Sequence, residues 1–166
     1  MVNIEFISGG AELLDEIQPL WEKLNQHHEE ISSHFSADFR VYKFAERKAN
    51  LLKKYIDGQL RVELAQSQGQ TVGYLVGAVT KDGVGEIESI FIATEFRGQG
   101  IADELMKLGL SWLDSQGAHT KLIAVAVGNE RAYSFYARFG FYPRVVMLKQ
   151  KDKARTTLRV ENQIDG

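Results

Sequence analysis

Apolar and polar positions alternate at the start of the chain: Val2, Ile4 and Phe6 are separated by Asn3 and Glu5, a period of two that predicts a strand ended by Ser8-Gly9-Gly10. The period then becomes helical. Leu13, Leu14, Ile17, Leu20, Trp21 and Leu24 fall on one helix face, with Pro19 placed to kink or break that helix. The pattern lapses between Gln26 and Ser36 into His27, His28, Glu29, Glu30, Ser32 and Ser33. A basic amphipathic segment then runs to about Ile56 and stops at Asp57-Gly58.

Leu60, Val62 and Leu64 alternate with Arg61 and Glu63, Gln68-Gly69-Gln70 makes a turn, and Val72 to Val79 reads as the returning strand of a hairpin. After a second turn at Lys81-Asp82-Gly83, Glu86 to Ile92 reads as a strand with Ile90 and Ile92 on one face together with Glu86 and Glu88. A polar, glycine-rich stretch from Thr94 to Gly100 leads into Ile101, Leu105, Leu108 and Trp112 at helical spacing, closing at Gly117. Leu122 to Val127 is an apolar run suited to a strand covered on both faces. Asn129 caps a short helix ending near Gly140, and strands at Val145 to Lys149 and Thr156 to Val160 flank a basic turn at Lys151 to Lys153. The pattern predicts a single α+β domain over residues 1–166, built on a mixed sheet.

Composition narrows the class. With 166 residues the chain can bury about 70% of its unfolded surface and needs no covalent staples. It has no cysteine, which excludes disulfides, thiolate-bound metals and a cysteine nucleophile. Lys and Arg number 20 against 22 Asp and Glu, so no basic excess exists to bind a nucleic-acid backbone. No apolar run approaches the ~20 residues of a membrane span, and the opening residues carry no signal pattern, so a cytoplasmic location is expected. The 15 glycines set against 2 prolines point to backbone geometry as part of the chemistry. Gly58, Gly69, Gly83, Gly117 and Gly140 punctuate elements, whereas Gly98 and Gly100 fall at a helix start.

Arg97-Gly98-Gln99-Gly100-Ile101-Ala102 lies between a strand and a helix, where N–H groups without intrahelical acceptors favour an anion. It lacks the Gly-Lys-Ser/Thr ending of nucleoside-triphosphatase loops, and Asp103 stands where a dinucleotide fingerprint wants glycine or alanine. The loop resembles the Arg/Gln-x-x-Gly-x-Gly/Ala signature of the GCN5-related N-acetyltransferases, met by Arg97, Gly100 and Ala102. A second segment, Asn129 to Phe141, resembles that family's asparagine followed by a short helix with alanine and tyrosine, ended by Gly-Phe. The resemblance covers about residues 2 to 160.

The resemblance implies a GNAT fold, a mostly antiparallel sheet splayed between the two strands after the meander, and acetyl-CoA as co-substrate without metal. It places the pyrophosphate on the amides of Arg97 to Ala102, and the acetyl group and pantetheine along the backbone of Ile90, Phe91 and Ile92. Asn129, Ala132 and Phe135 complete the implied coenzyme contacts, although Asn129 is equally explained as a helix cap. Tyr136 is implied as the acid that protonates the departing thiolate; its alternative is a packed aromatic. Glu86 and Glu88 are candidate bases, Glu88 preferred as nearer the loop; each is equally a solvated carboxylate. The acceptor is then a small-molecule or peptide amine, and an exposed edge strand suits a homodimer.

Seven acids between residues 12 and 38 (Glu12, Asp15, Glu16, Glu22, Glu29, Glu30, Asp38) accompany one base, Lys23. They form either an acidic rim for a cationic amine or an ordinary solvated helix face. Three readings stay open: an acetyltransferase, a catalytically silent coenzyme-A sensor of the same fold, and an interaction domain with a ligand-free loop.

Overall fold

The computed structural model describes residues 2–151. They divide into two compact units, one of 2–25 with 42–124 and the other of 26–41 with 125–151. The first holds five strands in the order β1 (Glu5–Gly9), β2 (Gln59–Ser67), β3 (Gln70–Val79), β4 (Val84–Ile92) and β5 (Thr120–Ile123). The first four are antiparallel, and β5 joins β4 in parallel after α4 (Ile101–Ser115) crosses over. Gln68 and Gly69, with φ of 50° and 77°, make the tight β2–β3 turn.

Pro19 neither kinks nor breaks a helix. A 3-10 helix, Ala11–Ile17, gives way to α1, Gln18–Ile31, so proline occupies the first α-helical turn, where its missing N–H leaves no bond unmade. The basic segment divides into α2 (Ser36–Val41) and α3 (Phe44–Lys54). Leu14, Ile17, Leu20 and Trp21 meet Phe44, Leu51 and Tyr55 of the α3 region over Val62, Leu64, Tyr74, Val76 and Ala78 of the sheet. Burying each large side chain in this group contributes about 1.5–3 kcal/mol.

Helix α4 packs on the opposite face, where Leu105, Met106 and Leu113 are fully buried. A Cβ at Gly109 would stand 2.7 Å from Leu75 and 3.5 Å from Ile87, so this glycine lets the helix approach β3 and β4 closely. Beneath α4, Glu63 is fully buried on β2. It accepts a hydrogen bond from Ser8, its register partner on β1, and pairs with Arg61 Nε at 2.7 Å. This partnering makes a buried carboxylate tolerable.

One irregularity overturns the expected alternation of β4. The register with β3 passes from Val76↔Ser89 to Gly77↔Ile87, leaving Glu88 as the extra residue of a β-bulge. Ile90 and Ile92 therefore do not share a face with Glu86 and Glu88. Ile90 opposes Leu75 and Ile92 meets Gly73 and Ile101 on the α4 side, while Glu86 opposes Ala78 on the α3 side.

Two further expectations fail in the same region of the sequence. The apolar run Leu122 to Val127 is not a doubly covered strand: β5 ends at Ile123, and Leu122 and Val127 are 44% and 68% exposed. Apolar content specifies a strand only as far as a neighbour supplies the ladder, and β4 pairs with β5 from Val84 to Ile87 alone. Val145 to Lys149 forms no strand among the described residues, with Val145 to Leu148 largely exposed. The expected strand at Thr156 to Val160 lies outside the described residues.

In the second unit, α5 spans Ala132–Ala137. Asn129 is not its cap. Arg131 holds that position without a side-chain cap, and Asn129 enters through its carbonyl, which accepts the Ala132 N–H at 3.1 Å. The reason is a preceding turn of shorter-range bonds, including Asn129 N–H to Ala126 O at 3.0 Å and Tyr133 N–H to Glu130 O at 3.1 Å. At the other end Phe141 N–H reaches Tyr136 O at 3.1 Å and Gly140 N–H reaches Ala137 O at 3.0 Å, with Gly140 at φ 85°. This paired closure fixes the turn that carries Tyr136.

Candidate active site

The strand-to-helix corner is built from β4, a single 3-10 turn at Thr94–Phe96 and the head of α4. Gly98 and Gly100 have φ of 74° and 78°, and Gly100 is the N-cap of α4. A Cβ at either would meet nothing within 4 Å, so the space over the loop backbone is open. That is a cradle in which the amides can approach an anion closely, the arrangement a diphosphate requires.

Arg97 is turned back onto the strand it follows. Its Nε donates to Ile92 O at 3.0 Å, and its guanidinium lies 5.2 Å from the centroid of the Phe91 ring. Gln99 is exposed, Ile101 is buried and anchors α4, and Ala102 is half-buried. Thus Ile90, Phe91, Ile92 and Arg97 to Ala102 form one continuous corner. Past Ile87, β4 has no pairing with β5, so from Glu88 to Ile92 it has no strand partner on that side among the described residues.

Glu86 and Glu88 both reach the α3 side. Lys54 Nζ lies 2.8 Å from Glu86 Oε2 and 2.6 Å from Glu88 Oε1, bridging the two carboxylates. The Tyr55 hydroxyl donates to Glu88 and stands 3.4 Å from Glu86. Arg47 Nη2 donates at 3.0 Å both to the Glu88 carboxylate and to its backbone carbonyl. Burial acts to raise the Glu88 pKa, but hydrogen bonds from Lys54 and Tyr55 and the positive charges of Arg47 and Lys54 outweigh it and hold the carboxyl below its ordinary value. Sequence reasoning missed Arg47, Lys54 and Tyr55. Their signal was present in the seven-residue spacing of Arg47 and Lys54 on one helix face.

In the second unit Asn129, Ala132, Phe135 and Tyr136 lie together on and before α5. The Phe135 ring packs edge-on to Tyr136 at 5.2 Å and to Phe139 at 5.4 Å, and Arg138 covers Phe135 and Phe139. Burial pushes the Tyr136 phenol above its usual pKa, which keeps it protonated at neutral pH.

The profile of the acetyltransferase (GNAT) family matches residues 20–141. The chain belongs to this family. N-alpha-acetyltransferase 30 of Schizosaccharomyces pombe is 42% identical to this GNAT protein over 57 residues, 34% of the chain and 38% of that relative's length. The chain thus spans well under half of that relative. Among solved structures, a GCN5-related N-acetyltransferase from Ralstonia eutropha JMP134 superposes with a TM-score of 0.71 at 16% identity, covering 90% of this chain and 99% of that one. An aminoglycoside N-acetyltransferase in complex with CoA gives 0.62 at 15% identity, with 92% and 97% covered. These likenesses establish the GNAT fold.

Three of the seven acids between residues 12 and 38 pair within the GNAT chain itself: Asp15 with Lys48 at 2.7 Å, Glu29 with Arg40 at 2.6 Å and Asp38 with Lys149 at 2.6 Å. Among the described residues no cluster of His, Asp or Glu side chains could hold a metal ion, and no helix is long and apolar enough to cross a membrane. His28 lies against Phe39, ring centroids 5.5 Å apart. Burial, reinforced by His27, lowers its pKa from 6.5 to about 4. The folded imidazole is therefore neutral while the unfolded one gains a proton as pH falls below 6.5, so the stabilisation is complete above that pH and lost on descent through 4. Urea midpoints measured from pH 7 to 4 should fall in this window, and His28→Gln should flatten the fall.

Proposed function

We propose that this chain is an acetyl-CoA-dependent N-acetyltransferase, one domain over residues 1–166, cytoplasmic, that moves an acetyl group directly to a primary amine of a small molecule or peptide. The observation that carries the reading is the open cradle over Gly98 and Gly100 at the head of α4. Acetyl-CoA supplies the acyl group as a thioester. The loop amides from Arg97 to Ala102 hold its pyrophosphate, and the unpaired β4 edge through Ile90, Phe91 and Ile92 aligns the arm and polarises the carbonyl. Asn129, Ala132 and Phe135 complete the coenzyme contacts.

The contacts favour Glu86 over Glu88 as base. The Glu88 carboxylate is engaged by Arg47, Lys54 and Tyr55 and has 5% side-chain exposure, against 19% for Glu86. A carboxylate whose pKa is lowered accepts a proton poorly. Glu86 takes the proton from the amine through water, the amine nitrogen bonds to the acetyl carbon as the carbon–sulfur bond breaks, and Tyr136 gives its proton to the thiolate. That a neighbour of the same fold is named an aminoglycoside N-acetyltransferase supports a small-molecule amine.

The test joins a thermal titration with acetyl-CoA to a thiol-release assay over polyamines, aminoglycosides, amino acids and peptide N-termini. Ligand at 100 times its dissociation constant should add about 2.7 kcal/mol of stability. Thiol release with one amine class identifies the acceptor. Binding with no release across the panel favours the silent sensor, and no shift at millimolar ligand overturns the reading.

A further inference from the structure

Among the described residues, the buried Glu63 pair, the His27–His28 stretch of α1 and the guanidinium of Arg47 have surroundings that the proposed reaction does not use. The first is explained by its partners Ser8 and Arg61, and the second by the packing of His28 on Phe39. Arg47 makes contacts that a surface ion pair would not need. Its Nη2 reaches both the carboxylate and the backbone carbonyl of Glu88 at 3.0 Å, and its side chain is 20% exposed.

Glu88 is the bulged residue, without a register partner on β3, and it is the first residue beyond the β4–β5 pairing. A bulge leaves the local ladder disrupted and aims the following backbone, so an unanchored bulge between two strands can relax by slipping its register. Here the residues after the bulge, Ser89 to Ile92, are those whose open edge faces the coenzyme in the proposed function. We propose that Arg47 is a positioning residue: by bridging the backbone carbonyl and carboxylate of Glu88, it locks the β4 bulge and fixes the direction of the Ser89–Ile92 edge. Tyr74 contributes from the opposing strand, its hydroxyl 2.5 Å from Ser89 Oγ, so the residue after the bulge is tied to β3. Arg47 touches no reacting atom and acts through Glu88.

This inference rests on the acetyltransferase reading, and the experiment separates the two. Arg47→Met and Arg47→Lys are compared with the parent by amide hydrogen exchange without ligand, by acetyl-CoA affinity, and by thiol release with an accepted amine. Arg47→Met should speed exchange at least tenfold in the Glu88–Ile92 peptide with little change in β2. It should weaken acetyl-CoA binding severalfold and lower kcat about tenfold, while KM for the amine moves less than twofold. Arg47→Lys keeps a cation that can donate to both oxygens, and should recover most of each loss. Exchange in Glu88–Ile92 that stays within twofold of the parent in both variants overturns the proposal, as does equal acceleration in β2. Should Arg47→Met not fold, Arg47→Gln takes its place with the same thresholds, since its shorter, uncharged side chain cannot bridge both Glu88 oxygens. A parent that fails to bind acetyl-CoA overturns the function instead, and the exchange result still judges the bulge.

Discussion

Gly100→Val should abolish the stabilisation that acetyl-CoA gives the parent protein while leaving the fold intact. Gly100 sits at φ 78°, where a β-branched residue costs roughly 1–2 kcal/mol, and no atom lies within 4 Å of its Cβ position. The loss of stability is thus confined to local backbone strain, small against the several kcal/mol of a domain this size. The isopropyl group would stand in the open space over the loop and hold a diphosphate away from the amides. Gly69 provides the control, because it shares the left-handed φ, 77°, and the open Cβ position but lies in the β2–β3 turn. Gly69→Val should lower the melting temperature similarly and keep the full ligand shift. Equal ligand shifts in the two variants would show that the loop holds no phosphate.

Tyr136→Phe should lower kcat by about 100-fold, the range expected when a general acid is removed, with acetyl-CoA affinity within about threefold of the parent. The hydroxyl oxygen is the only heavy atom deleted, and the ring contacts with Phe135 remain available. Because burial raises the Tyr136 pKa above its ordinary value of 10.0, the acid stays protonated throughout the neutral range, and kcat should show no alkaline decline below that pH. An unchanged kcat retires Tyr136 as the acid. A fall in affinity equal to the fall in kcat would assign it to binding.

The meander, the phosphate-type loop and the helix closing at Gly140 were legible in the sequence because each depends on local signals. Alternation within a strand, positive-φ glycines in turns and a helical apolar stripe are all written within about ten residues. Asn129 shows where local reasoning stops. Its chemistry suits a cap, yet a turn from Ala126 to Asn129 delays the helix and gives the cap position to Arg131. The apolar stretches at Leu122–Val127 and Val145–Lys149 show the same limit, since a strand exists only where a neighbour supplies its ladder.

The candidate base pair is the sharper case. A spacing of two placed Glu86 and Glu88 on one face, and both do reach α3, but the bulge at Glu88 turns Ile90 and Ile92 to the opposite face. Nor could β4 alone reveal that Lys54, Tyr55 and Arg47, 33 to 41 residues earlier, surround the Glu88 carboxylate, or that Arg47 distinguishes it from Glu86. By itself the sequence determined the family's two motifs, a glycine loop before a helix and a short helix carrying a tyrosine, and excluded a cysteine nucleophile. Only the tertiary structure decided that Arg47 engages Glu88, with no such bond to Glu86, and where β4 loses its strand partner. Proton affinity and ladder pairing are set by neighbours that folding brings from distant parts of the chain, and no local pattern records them.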